Sequence, residues 1–140
     1  MAAIDNLSAT FLVAGSGLFA QSQRIRIASE NLANAESTGD APGANPYTRK
    51  VLSFESELDE LTGASLVQVG DTELDRAPYR IEKMPGHPAA DQNGNVKLPN
   101  VNMLVELSDI REGTRSYDAN VQVIKQAREL ITMTIDLLKA

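Results

Sequence analysis

Large apolar residues recur at every seventh position over both ends of this chain, and few folds accommodate that spacing. Near the N-terminus Ile4, Phe11, Leu18, Ile25 and Leu32 form one line, with Leu7, Ala14, Gln21, Ala28 and Ala35 at the offset between them. Toward the C-terminus Met103, Ile110, Tyr117, Ile124, Ile131 and Leu138 form one line, and Leu107, Thr114, Val121, Arg128 and Ile135 a second. The repeat predicts helices from about residue 4 to 34 and about 102 to 138, roughly 47 Å and 55 Å long at the helical rise, well beyond the usual three turns. Covering both apolar lines is simplest if the terminal segments pair lengthwise in a coiled-coil-like manner. Asn102 is placed to cap the second helix, with Glu106 and Asp109 near the positive end of its dipole.

The first helix has an unusual outer surface. From Met1 to Ala35 the only charged residues are Asp5, Arg24, Arg26 and Glu30, while Ala9, Gly15, Ser16, Gly17, Ala20 and Ser22 keep the remaining faces small. A helix that is apolar or small nearly all round is buried on several sides, so other subunits are the expected neighbours, with the ends ordering on assembly. Gly15 and Gly17 each cost an isolated helix about 1 kcal/mol relative to Ala. The plainer alternative is the helical core of a small globular protein.

Between the helices, residues 37–46 (STGDAPGANP) stop the first helix with turn-forming residues. Strand signals follow at 47–54, 65–69 and 79–82, and Asn93-Gly94 marks a hairpin turn ahead of Val96 and Leu98. The fold class expected is α+β, an elongated pair of long terminal helices with a small, β-rich or irregular middle lobe. Residues 1–36 plus 100–140 form the helical part, and 37–99 the linker loop and lobe.

Chemistry is hard to place on these residues. With 13 Lys plus Arg against 19 Asp plus Glu, the net charge of −6 has the wrong sign for tracking a phosphate backbone. Cys is absent, and His87 is the only histidine, so disulfides, thiolate sites and paired-imidazole metal sites are excluded. His87 with Asp91 suggests an acid/base dyad, but no hydroxyl nucleophile lies in that loop, and a constrained turn is the better reading. The segment beginning at Asp91 fails as a calcium loop, with Val96 at the glycine position and Asn102 at the glutamate position. Glu55, Glu57, Asp59 and Glu60 read as a solvated acidic face. No catalytic residue, cofactor or metal is expected. Residues 6–23 carry no charge, yet the first basic residue, Arg24, follows the apolar stretch instead of preceding it, so a cleaved signal is not expected. Interrupting polar residues argue against a membrane span.

The run Ser29-Glu30-Asn31-Leu32-Ala33-Asn34-Ala35-Glu36-Ser37-Thr38-Gly39 resembles the signature that follows the N-terminal helix in bacterial flagellar rod and hook axial proteins. Four further stretches resemble the proximal-rod members of that family: Pro46 to Lys50, Gly86 to Asp91, Pro99 to Asn102 and Arg115 to Asn120. Asp40 departs from the wider pattern, where an aromatic often follows the glycine. The resemblance runs from near residue 4 to the C-terminus. It implies a structural, non-enzymatic rod subunit of the flagellar basal body, needed for motility. It also implies uncleaved export through the flagellar type III apparatus and assembly with itself and with FlgB, FlgF and FliE-like proteins in the periplasm-spanning rod.

On that reading assembly contacts lie along the helix seams, at Ile4, Leu7, Phe11, Leu18, Ile25 and Leu32 and at Ile110, Tyr117, Val121, Ile124, Ile131 and Ile135. Asn31 and Asn34 are expected to satisfy carbonyls at the end of the first helix, Gly39 to supply a turn with positive φ, and Asn120 to hydrogen-bond across the seam and fix register. Two competing readings are an exported coiled-coil adaptor or needle-like component of another secretion machine, and a cell-wall hydrolase, which needs a placed carboxylate pair.

Overall fold

The computed structural model describes residues 2–140, with the backbone alone described for residues 2–5, so the side chain of Ile4 lies outside the described residues. Helix α1 spans Ala2–Ala33 and helix α2 Met103–Lys139. Between them lie strands β1 (Lys50–Leu58), β2 (Ser65–Leu74), β3 (Arg80–Lys83) and β4 (Asn95–Leu98), paired as β1-β2 and β3-β4. Two long terminal helices around a small antiparallel region make the class α+β. Contacts divide the chain into two compact units, each taking a piece of both helices and of the strands.

One unit comprises Met1–Arg24, Ser53–Gly70 and Arg111–Ala140. Here Gly17 of α1 faces Asn120 of α2, and Leu7, Ser8 and Phe11 share an apolar groove with Leu130, Ile131, Thr134, Ile135 and Leu138. Low numbers on α1 meet high numbers on α2, so the helices run antiparallel. The buried residues of both helices in this unit are small: Ala14, Ala20, Gly113 and Ala127. The hairpin tip is a turn closed by Asp59, whose carboxylate accepts from Thr62 N and Oγ1 while Asp59 N donates to Ala64 O. Ser16 joins helix to strand, its Oγ donating to Val13 O and accepting from Val67 N at 3.1 Å.

The most buried positions of α2 lie one residue before its second line, while Ile110, Val121, Ile124 and Ile131 are half-buried. Leu107, Thr114, Arg128 and Ile135 are exposed, while Glu106, Gly113 and Ala127 are buried and Asn120 half-buried. On α1 Ala14, Ile27 and Ala28 are buried, as is Ala35 just beyond it, and Phe11, Leu18, Ile25 and Leu32 are only partly so. Close approach of two backbones needs small side chains between them. The large apolar residues flank such a seam, and the small ones of the offset line, Ala14 and Ala28, are the more deeply buried.

The other unit comprises Ile25–Leu52 and Asp71–Ile110. Strands β3 and β4 pair antiparallel from Arg80 opposite Leu98 to Lys83 opposite Asn95. Val96 and Leu98 alternate inward and join Ile27, Ala28, Ala35, Ala89, Pro99 and Val101 as a core. The expected two-residue turn at Asn93-Gly94 is instead the last step of a loop over residues 84–94. Asp91 Oδ1 accepts from Asn93 N and Asn95 N, and Gly94 takes φ +76° as the chain enters β4. Gly43 N donates to Ala89 O, tying the earlier loop to this one. At the start of α2 Asn102 Oδ1 accepts from Leu104 N at 3.0 Å, the expected cap.

Gly39 does not serve as expected, for the positive-φ residues are Gly43, Gly63, Gly86 and Gly94. It is needed for space: a Cβ there would stand 2.7 Å from Ala44 Cβ and 2.8 Å from Ala44 O. The loop after α1 folds back tightly on itself, and only a residue without a side chain permits that approach.

Candidate functional site

The most elaborated chemistry lies in the unit built on residues 25–52 and 71–110, around Glu106. This carboxylate is 1% exposed in the first turn of α2. Arg49 Nε donates to its Oε1 at 2.6 Å and Asn31 Nδ2 to its Oε2 at 3.1 Å. Arg49 also reaches Asp75 Oδ2 through Nη1 at 3.2 Å. A buried charge is tolerated only when paired and hydrogen-bonded, and both oxygens of Glu106 have partners.

Asn31, also 1% exposed, acts as a substitute strand. Its Oδ1 accepts from Lys50 N and its Nδ2 donates to Lys50 O, both at 2.9 Å, so one side-chain amide takes up both outward backbone groups where β1 begins. Tyr47 OH adds a second donor to Oδ1 at 2.8 Å. Asn100 does similar work, its Oδ1 accepting from Arg49 N and its Nδ2 donating to Asp75 O and Ala77 O. Lys50 Nζ pairs with Glu30 and lies 5.9 Å from the centroid of the Tyr47 ring. The end of α1, the start of β1 and the start of α2 are thereby fastened by side chains from all three.

The network shifts its members' proton affinities. Burial, with the nearby Glu30 and Glu106 carboxylates, pushes the Tyr47 hydroxyl up to about 12. Burial pulls the Arg49 guanidinium down, but its bonds to Glu106 and Asp75 more than offset that, leaving it above its ordinary value. Asp75 is held below the usual carboxylate value, first by the Ala77 backbone N–H and, against some burial, by Arg49.

Of the residues expected to act in assembly, this network gathers Asn31 alone, beside Glu106, which the sequence places at the helix dipole. Asn34 Nδ2 donates to Glu30 O at 2.8 Å, a helix-end carbonyl that also accepts from Asn34 N at 3.2 Å and so is not an orphan. Asn31 caps nothing and instead pairs with β1. The Asn120 amide bonds Ser116 O of its own helix at 3.1 Å and meets α1 by packing under Gly17, where a Cβ would lie 2.8 Å from its Nδ2. Leu7, Phe11, Ile131 and Ile135 line the groove between the helix ends. Leu18, Ile25, Leu32, Ile110, Val121 and Ile124 are partly buried, and Tyr117 is exposed at the margin.

Arg49, Tyr47, Asn100 and Glu106 were not singled out for this role. Three of them stood inside the motif stretches Pro46 to Lys50 and Pro99 to Asn102, and a basic residue beside a tyrosine in a loop was the available signal.

The His87–Asp91 pair forms no dyad. His87 Nδ1 accepts from Ala89 N at 3.1 Å, and the Asp91 carboxylate is spent on its own turn, which lowers its proton affinity. Among the described residues no cluster of His, Asp or Glu is arranged to hold a metal ion, and no helix is long and apolar enough to cross a membrane. The arrangement can fasten chain segments together and present apolar helix faces.

Such an arrangement suits a structural role, and comparison with known families names the class. Residues 11–39 match the family described as flagella basal body rod protein, and residues 92–137 the C-terminal family of flagellar basal body rod proteins FlgEFG. Near-full-length relatives narrow the class further. The FlgC basal-body rod protein of Agrobacterium fabrum is 58% identical over 98% of this chain and 99% of its own length, and those of Escherichia coli O6:H1 and Salmonella typhimurium are 38% and 36% identical over 91% of this chain and 94% of theirs. The chain belongs to the FlgC family of flagellar basal-body rod proteins.

Proposed function

We propose that this protein is a structural subunit of the proximal rod of the flagellar basal body, assembling through its terminal helices into the tube that transmits torque. Residues 1–36 with 100–140 form the inner tube, and 37–99 lie outside it. The observation that carries this reading is the amount of apolar surface left on α2: Leu104, Val105, Leu107, Val123, Leu130, Met133, Leu137 and Leu138 are all exposed in the single chain. Large apolar patches mark surfaces that other proteins cover, and family membership names the assembly. The seam residues given above, together with Asn31, Asn34, Gly39 and Asn120, act in assembly or in shaping what assembles, and no catalysis is involved.

The implied partners are further copies of the chain, FlgB, FlgF and FliE-like proteins, and the type III export apparatus, which passes the chain uncleaved to a periplasm-spanning rod. Replacing Leu130 and Leu137 together with Gln tests the reading. Cells carrying the variant at wild-type levels should be non-motile and lack rods beyond the membrane ring on imaging of isolated basal bodies. Normal rods and motility would refute it.

A further inference from the structure

We propose that the outer edge of β1 between Ser53 and Leu58 is a docking edge for an extended basic segment of another protein. The hairpin has two strands, so each has a single strand neighbour. Asp59 N bonds Ala64 O, and Arg49 O accepts from Asp75 N, so odd-numbered residues of β1 turn their N–H and C=O toward β2 and even-numbered residues turn theirs outward. Lys50 confirms the alternation, since both of its backbone groups face away from β2 and are taken by Asn31. Phe54, Ser56 and Leu58 therefore point N–H and C=O outward, and every residue from Ser53 to Leu58 is exposed. The opposite edge is held differently, by Ser16 on Val67 N.

Charge selects the occupant. Residues 53–70 contain Glu55, Glu57, Asp59 and Glu60 and no Lys or Arg. A second copy pairing edge to edge would set carboxylates against carboxylates, which is destabilising. Natural edges are blunted by Lys, Pro or a cover, and Ser53 to Leu58 contain neither residue. Acidity of one sign bars self-pairing while attracting a strand of opposite charge. Phe54 and Leu58, exposed on alternate positions, and Leu61 at the tip, 96% exposed, offer apolar contacts beside the backbone bonds. Strand addition of this kind draws affinity from the main chain and selectivity from alternate side chains. The partner segment thus alternates Lys or Arg with apolar, β-favouring residues.

The test uses the full-length chain, isotope-labelled, and a blocked peptide of roughly eight residues alternating Lys and Val, with the Glu/Val peptide as control. Binding should shift the amides of Phe54, Ser56 and Leu58 and weaken by about tenfold or more when salt rises from low to several-fold physiological strength. It should also weaken about tenfold in E55K/E57K and in Ser56→Pro, which removes an outward N–H and leaves the β2 side paired. Should Ser56→Pro displace the Val67 amide, E55K/E57K decides alone. Shifts confined to other residues, no binding, equal binding of the Glu/Val peptide, undiminished binding by E55K/E57K, or dimerisation of the chain through this edge would each overturn the proposal.

Discussion

The two compact units use the same two helices and bury different things. In the unit of residues 25–52 and 71–110, Ile27, Val96, Leu98, Pro99 and Val101 pack away from water, and the buried polar groups Asn31 and Glu106 are fully partnered. In the other, the buried residues are alanines and a glycine, and Phe19, Leu130, Met133, Leu137 and Leu138 remain exposed. Burial of apolar area is the main driving force for folding, so the first unit has an apolar core of its own while the second buries little apolar volume within the single chain. Chain length and helix length do not distinguish them. The size of the buried side chains does.

The largest expected effect concerns the unit with its own apolar core. Glu106→Ala leaves the Arg49 guanidinium and the Asn31 amide without their buried acceptor, and breaking such a pair costs ~3–5 kcal/mol. Denaturant unfolding of the full-length chain should lose stability on that scale, with faster amide exchange at Lys50 and Val96. Unchanged exchange there would show that the network is ornamental and erase the contrast between units. Gly39→Ala ranks next. Its Cβ would press on the Ala44 backbone, which cannot step aside as a side-chain tip can, so a loss of ~1–3 kcal/mol is expected from overpacking.

A smaller effect is readable through pH. Tyr47 has a raised pKa, so its contribution is fully present below about 10, the value of an unfolded tyrosine, and is lost as pH rises through about 12. Tyr47→Phe should cost ~1 kcal/mol near neutrality, since the Asn31 Oδ1 keeps the Lys50 N–H, and should shallow the alkaline unfolding slope in that window. An unaltered slope would mean that the hydroxyl titrates freely.

The periodic part of this fold was legible and the polar part was not. Heptads located both helices and Asn102 marked where α2 starts, because helical period and capping are local properties of sequence. At the seam centre Asn120 is marked by its helical spacing from Tyr117 and Ile124, whereas Gly113 and Ala127 carry little signal because they are small. Asn31 stands near a helix end, yet its partner Lys50 lies across a loop, and no local rule places an amide against a strand not yet folded. Glu106 was read through the helix dipole, a correct but minor term beside its pairing with Arg49. Gly39 shows the same limit: positive φ is the usual reason for a glycine in a turn, and here close packing against Ala44 is the actual one.

Two glycines inside the helix-rich unit show the seam's logic at the smallest scale. Gly15 has nothing within 4 Å of where a Cβ would sit, whereas at Gly17 the Cβ would meet the Asn120 amide at 2.8 Å. Gly15→Ala therefore gains helix propensity, up to ~1 kcal/mol, with no steric cost, and helicity of the free chain by circular dichroism should rise. In Gly17→Ala the same gain is opposed, because the Asn120 side chain must swing away and give up Ser116 O. Its net change should be near zero in the free chain. The difference between the two variants measures whether α1 and α2 are already in contact before assembly: if both raise helicity equally, Gly17 is not facing Asn120 in the free subunit, and the small-residue seam forms only when neighbouring copies enclose it.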